Sequence, residues 1–187
     1  VLHHLAGVAP ELDVPRIVTA VDGTPYATVR SAQGRHHVRL VTHLSGRPMA
    51  SVAPTAELER DLGRFIGSVS RGLQAFGHPA AHRPDFLWHL DNAQAIRPWI
   101  ADIANTDDRA LVERALDRHE HHVLPVLAQL RGAVVHHDAN DHNVLVHDGR
   151  VSGLIDFGDM VFARQVNELA VTLAYALLDV ADIVATA

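Results

Sequence analysis

The 187-residue chain contains no cysteine. That excludes disulfides, thiolate zinc sites, iron–sulfur ligation and cysteine nucleophiles. Lysine is also missing, so all 16 Lys/Arg positions are arginine. Its absence removes Schiff-base chemistry and the lysine of a Walker phosphate loop. Aromatic residues amount to 5%, and Phe76, Trp88 and Trp99 are too scattered for a base-stacking platform. No apolar run reaches the roughly 18 residues of a membrane helix, so no membrane role is expected. Basic charge is in deficit, 16 against 22 acidic residues, for a net charge of −6. With a pI near 6.2, no basic surface is guaranteed and nucleic acid is not an expected partner. Val1-Leu2-His3-His4 has neither a charged n-region nor a start methionine and does not read as a signal peptide. A cytoplasmic setting is compatible with all of this.

What is present is an ordinary apolar fraction of 48% and an unusual 15 histidines. Leu2, Leu5, Ala6 and Ala9 fit the end of a helix closed by Pro10. Strands are expected over Val14–Val21, Tyr26–Arg30 and His37–Leu44, punctuated at Asp22-Gly23, at Ser31–Gly34 and at Ser45–Pro48. From Thr55 the apolar period becomes helical, with Leu58, Leu62, Phe65, Ile66, Val69 and Leu73 on one face. A short irregular helix is expected over Asp91–Ala101. A long one, capped by Asp107 or Asp108, is expected to run through Arg131, with Leu111, Ala115, Val123, Leu127 and Leu130 inward and a kink at Pro125. Ala133–Val135 reads as a buried strand. Val144–Val146 and Val151–Ile155 form a hairpin across His147–Arg150. Glu168–Val184 is almost wholly apolar and is expected in the core, Leu169–Leu178 included. Both ends stop inside helical patterns, which reads as a fragment.

The densest polar cluster, His136-His137-Asp138-Ala139-Asn140-Asp141-His142-Asn143, lies between two buried strands, and Ile155-Asp156-Phe157-Gly158-Asp159 follows the hairpin. Asp138 and Asn143 belong to one compact loop, and the hairpin returns Asp156 beside it. Two carboxylates and an amide oxygen are hard ligands that suit magnesium and phosphate better than zinc.

His136-x-Asp138-x-x-x-x-Asn143 followed by Ile155-Asp156-Phe157 resembles the catalytic and metal-binding loops of the aminoglycoside phosphotransferase and choline kinase-like family. The longer runs Asp138–Val146, Gly153–Met160 and Asn167–Ala170 are most similar to its hydroxylysine kinase-like branch, whose domains also occur in fusions. Val38–Pro48 looks like the strand and hinge that hold a nucleotide base. The resemblance implies an α+β, protein-kinase-like fold, with residues 1–48 an N-lobe remnant and hinge and residues 49–187 a helical C-lobe. It implies a kinase moving phosphate from ATP or GTP to a hydroxyl of a small amine or amino-acid-like substrate. Asp138 would be the catalytic base. Asn143 and Asp156 would hold Mg²⁺. The carbonyl of Thr42 and the N–H of Leu44 would meet the purine, and His136 would brace the loop. Asp159 and Glu168 would bind a substrate ammonium or support the loop, with support the main expectation.

Several residues depart from the pattern. His137 stands where glycine is usual, which predicts crowding or a strained backbone. His89 and Ser70 stand where this branch often has Asp and His. No phosphate-covering hairpin and no strand lysine precede the hinge, so the 187 residues are expected to bind nucleotide poorly and to catalyse little alone. Two other readings compete with the kinase. One is a degenerate kinase-like binding or regulatory domain of a larger protein. The other is a metal-dependent hydrolase using His136, His137, Asp138 and Asp156. His119-Glu120-His121-His122 lacks the i, i+4 histidine pair of a metalloprotease and reads as a solvated helix face. The pairs His3-His4 and His36-His37 read as surface.

Overall fold

A computed structural model of the chain describes residues 1–178 and 180. Helix α1, Leu2–Val8, buries Leu2 and Leu5 and ends ahead of Pro10. Strand β1, Ile17–Val18, pairs antiparallel with β4, Leu40–Val41. Between them projects an exposed hairpin of β2, Ala27–Ser31, and β3, Gly34–Val38. The single strand expected over His37–Leu44 is therefore two. The chain changes partners at Arg39, and residues 42–45 are left outside any ladder. The strand expected over Val14–Val21 contracts to the two residues that face β4.

Arg47–Pro48, expected as a turn, forms β5 at the edge of a three-stranded sheet ordered β5-β7-β8. Proline is tolerated there because an edge strand need not donate on both sides. Its partners are the hairpin strands β7, Val144–His147, and β8, Arg150–Leu154, which turn through Asp148 and Gly149, both at positive φ.

Helix α2, Ala56–Leu73, follows the expected period and buries Leu58, Leu62, Ile66, Val69 and Leu73. The Thr55 side chain caps it by accepting from the Leu58 N–H at 3.1 Å. Leu5, Leu12 and Val14 share one core with Leu62, Ile66, Val69, Leu73, Val144, Leu154 and Phe157. This core supports the hairpin that carries the polar loops.

The middle of the chain departs most from expectation. A 3₁₀ segment spans Leu90–Asp102, close to the predicted helix. Helix α3, Thr106–Arg118, is capped by Asn105, whose side chain accepts from the N–H groups of Asp107 and Asp108. The two aspartates sit in the first turn, where their charge favours the helix dipole, and are not the cap. The helix then passes into a π turn, His119–Val123, and a 3₁₀ segment, Leu124–Gln129. The expected continuous inner stripe fails. Leu116 is the buried residue of α3, Leu111 is 59% exposed, and the π turn rotates everything after it. Arg97 bridges Asp117 and Glu120 at 2.8 Å each across this change of pitch.

Strand β6, Gly132–Val135, pairs antiparallel with β9, Val161–Arg164. Helix α4, Val166–Ala176, corrects the last expectation. It buries Asn167, Glu168 and Thr172 and exposes Leu169 and Tyr175. The polar residues turn inward because they have backbone and side-chain partners there. Asn167 donates to Asp91 at 2.8 Å, and Glu168 accepts from the loop after β6. Of the apolar run beyond α4, Leu177 is partly buried and Leu178 exposed; residue 179 and residues 181–184 of the expected helix lie outside the described residues. Among the described residues no helix is long and apolar enough to cross a membrane.

One glycine fixes how the hinge meets the hairpin. Gly153 has φ of +158°, and a Cβ there would lie 2.7 Å from Leu44 Cδ1 and 3.0 Å from the Asp13 carbonyl. Gly153→Ala is expected to destabilise the protein by about 1–3 kcal/mol, the usual cost of overpacking. The denaturant midpoint should fall with little change in slope.

Candidate active site

The loop after β6 is held from behind. Glu168 Oε2 accepts from the His136 N–H at 2.5 Å and from the His137 N–H at 3.4 Å. This is the supporting role expected for Glu168. Its other oxygen, Oε1, is buried without a hydrogen-bond partner among the described residues. Burial pushes the carboxyl up to about 7, against the two N–H donors that favour the charged form.

His136 is wholly buried and both ring nitrogens are committed. Nδ1 accepts from the Asp138 N–H at 3.2 Å, which requires Nε2 to carry the proton it gives to the Ile155 carbonyl at 3.0 Å. Burial lowers its pKa to about 4, so the ring is neutral. A ring fastened at both nitrogens braces the loop as expected. It has no nitrogen left for the metal of the hydrolase reading. His137 adopts φ of +69°, the glycine-like backbone that its position predicted. Its ring is buried and lies 3.0 Å from the Trp88 carbonyl through Nε2.

These two titratable groups set a pH dependence of stability. His136 binds fewer protons folded than unfolded between about 4 and 6.5, so its contribution rises with pH. Glu168 binds more protons folded than unfolded between 4.5 and about 7, so its contribution falls with pH. The slopes oppose each other where the windows overlap. Glu168→Gln is expected to unmask the histidine, giving a stability that rises by up to about 1.4 kcal/mol per pH unit between pH 4.5 and 6. Urea denaturation across that range checks it, and an unchanged slope in the variant refutes the pairing.

Asp138 is fixed by amides from its own loop. Asn140 Nδ2 donates to Oδ1 at 2.8 Å, and Asn143 Nδ2 donates to Oδ2 at 2.7 Å and to the Asp138 carbonyl at 2.9 Å. Asn140 was not singled out from the sequence. Its Oδ1 also accepts from the N–H groups of His142 and Asn143, so it ties the loop together. The readable signal was an Asx residue placed two and three residues before backbone N–H groups, a local turn-former. Burial raises the Asp138 pKa, and the charges of Asp159 and Asp156 raise it further, while the amide donors pull it down.

Asp156 is brought to the same loop through Ile155. The Ile155 N–H donates to the Asn143 carbonyl at 3.0 Å, and its carbonyl receives the His136 ring. Asp156 itself adopts φ of +59° and accepts from the Gly158 N–H at 3.1 Å. Asn143 points its amide nitrogen at Asp138, so its amide oxygen is free to meet a cation. With the Asp156 carboxylate this gives hard oxygen donors that fit Mg²⁺.

Two clefts border these loops, one reaching Asp156 and the other Asp138. One, of about 470 Å³, is lined by Pro15, Val41, Thr42, Leu44, Asp156 and Phe157. The Thr42 N–H donates to Arg16, which fixes the hinge. The Thr42 carbonyl and the Leu44 N–H make no backbone hydrogen bond among the described residues. The other cleft, of about 520 Å³, is lined by Trp88, His137, Asp138, Asp159, Val171 and Tyr175 among others. The departures from the family pattern are structural here. His89 is buried with Nε2 3.2 Å from the Phe162 carbonyl, and the Ser70 hydroxyl accepts from Gln165. The His119–His122 stretch lies in the π turn, with His121 Nδ1 2.7 Å from the Asp117 carbonyl.

Comparison with known proteins gives a consistent picture. The model of the phosphotransferase enzyme family, APH, matches residues 1–184. Hydroxylysine kinase of Xenopus laevis is 33% identical over 159 residues, 78% of this chain and 42% of that protein. The chain spans about two fifths of the length of the curated relatives it matches. A microcompartment-associated aminopropanol kinase superposes with a TM-score of 0.69 at 24% identity, covering 96% of this chain and 58% of that one. An amicoumacin kinase in complex with AMP-PNP, Ca²⁺ and Ami superposes with a TM-score of 0.64 at 17% identity, covering 95% and 52%. The fold is thus the protein-kinase-like α+β architecture that the motifs predicted.

Proposed function

This chain belongs to the phosphotransferase enzyme family, and from that premise we propose that its site transfers the terminal phosphate of ATP or GTP to a hydroxyl of a small amine or amino-acid-like acceptor. The observation that carries the reading is the double fastening of Ile155, which joins the Asp138–Asn143 loop, with Asp138 on one cleft, to Asp156 on the other. Nucleotide occupies the cleft beside the hinge. Its purine edge meets the Thr42 carbonyl and the Leu44 N–H, a contact indifferent to side-chain type. The acceptor occupies the cleft that contains Asp138.

The transfer then balances simply. The acceptor hydroxyl loses its proton to Asp138 as its oxygen bonds to the terminal phosphorus. The bond from that phosphorus to the bridging oxygen breaks, and the nucleoside diphosphate leaves. In such a loose transition state the protein mainly positions groups and offsets charge. Asn143 and Asp156 would hold Mg²⁺, which when bound neutralises the phosphate oxygens. A raised pKa suits Asp138, because it makes the carboxylate a better proton acceptor. The names of the relative and of the structural neighbours agree in kind: hydroxylysine kinase, aminopropanol kinase and a kinase in complex with AMP-PNP.

A thermal-shift screen of the intact protein with Mg-ATP, Mg-GTP and a panel of amino alcohols tests this, since ligands that bind the native state raise its apparent stability. A shift with Mg-nucleotide, followed by acceptor-dependent release of ADP or GDP, is the expected result. No nucleotide shift at millimolar concentration, or release that never depends on acceptor, refutes it.

A further inference from the structure

The cleft beside Asp138 holds a second carboxylate that the transfer chemistry leaves unused. Asp159 lines it together with Asp138, and none of the ion pairs among the described residues includes Asp159. The cation that grips the same turn is Arg83. It donates to the carbonyls of Gly158 and Met160 on either side, and its guanidinium stacks 3.7 Å from the Phe86 ring centroid. It is spent on the backbone and does not line the cleft.

The rest of the wall decides what such a carboxylate can meet. Leu90, Val171 and Ala174 are apolar, and Trp88 and Tyr175 present partly exposed rings. Aromatic faces attract cations. The one basic side chain in the lining, His137, has its Nε2 against the Trp88 carbonyl, and burial lowers its pKa. No arginine lines the cleft among the described residues. Asp138 and Asp159 put two carboxylates into the one lining. An ammonium gains a partner here. A carboxylate meets two like charges and, among the described residues, no arginine in the lining, which is specificity by repulsion.

We propose that Asp159 is the specificity residue that pairs with the ammonium group of the acceptor, and that this cleft selects amino alcohols lacking a carboxylate. This rests on the phosphotransfer reading for the position of the reacting hydroxyl at Asp138. The acceptor is held at two points, hydroxyl to Asp138 and ammonium to Asp159, with an apolar stem against Leu90 and Val171.

Calorimetric titration of the intact protein with propanolamine, propanediol and homoserine tests it, because the three differ only in the ammonium and the carboxylate. Propanolamine is expected to bind at least tenfold more tightly than either of the others. Asp159→Asn should bring propanolamine to the level of propanediol, leave Mg-nucleotide affinity unchanged, and be rescued in part by Asp159→Glu. Equal binding of propanolamine and homoserine overturns the proposal, as does an amine preference that survives Asp159→Asn. Should that variant fail to fold by thermal melting, the wild-type comparison with homoserine still decides. Phosphoryl transfer, measured separately, distinguishes the two readings. Transfer without an Asp159-dependent amine preference removes this inference alone. Asp159-dependent amine binding without transfer from ATP or GTP removes the phosphotransfer reading alone.

Discussion

Asp138→Ala in the intact protein is expected to lower phosphoryl transfer by about 10²–10⁴-fold, the range that a positioned general base contributes, while leaving nucleotide affinity nearly unchanged. The split follows from the geometry. Asp138 lines the acceptor cleft and is absent from the lining of the hinge cleft. It meets the proposed metal ligands through Asn143, whose amide donates to it at 2.7 Å. Asp138→Asn is the sharper control, since it keeps an oxygen for the Asn140 or Asn143 amide and removes the proton-accepting charge. Rapid-quench measurement of acceptor phosphate, with nucleotide titration alongside, separates the two quantities. Full transfer in Asp138→Ala would show that another group accepts the proton. A degenerate binding domain predicts something different again: nucleotide or partner binding in the wild type, no transfer, and no effect of either variant.

The site was legible because its information is local. The Asp138–Asn143 spacing is closed by hydrogen bonds within six residues, and the hairpin that returns Asp156 is announced by Asp148-Gly149 between two apolar runs. The structure hydrogen-bonds Asn143 to Asp138, ties Asp156 to that loop through the Ile155 backbone, and places Thr42 and Leu44 on the hinge cleft. The glycine-like backbone at His137 was legible only through the family resemblance, in which glycine is usual at that position.

What stayed hidden depends on distant partners. The apolar composition of Leu169–Leu178 pointed to the core, but Glu168 sits where two loop N–H groups converge, and that polar demand rotates α4 so that Leu169 faces out. Strand limits failed at Arg39 because pairing depends on which neighbour is nearest, not on the residue's own propensity. The pitch change at His119 is likewise a tertiary matter, set where Arg97 gathers Asp117 and Glu120.

Asp156→Ala is expected to act at the opposite step from Asp138, removing the Mg²⁺ dependence of nucleotide binding. Asp156 lines the hinge cleft beside Phe157 and the Thr42–Leu44 segment, where the phosphates of a bound nucleotide must leave the base. Loss of an outer partner of a metal ligand alone costs about 10–100-fold in metal affinity, so removal of the carboxylate itself should cost at least that. The alanine variant also deletes the acceptor for the Gly158 N–H and places alanine at φ of +59°, so part of its effect is structural. Asp156→Asn isolates the charge: asparagine tolerates the left-handed backbone and can still cap the turn. Titration of nucleotide with and without Mg²⁺ should show enhancement by the metal in the wild type and none in Asp156→Asn, at an unchanged metal-free affinity. Retained enhancement would move the cation away from Asp156, and with it the alignment of the terminal phosphate on Asp138.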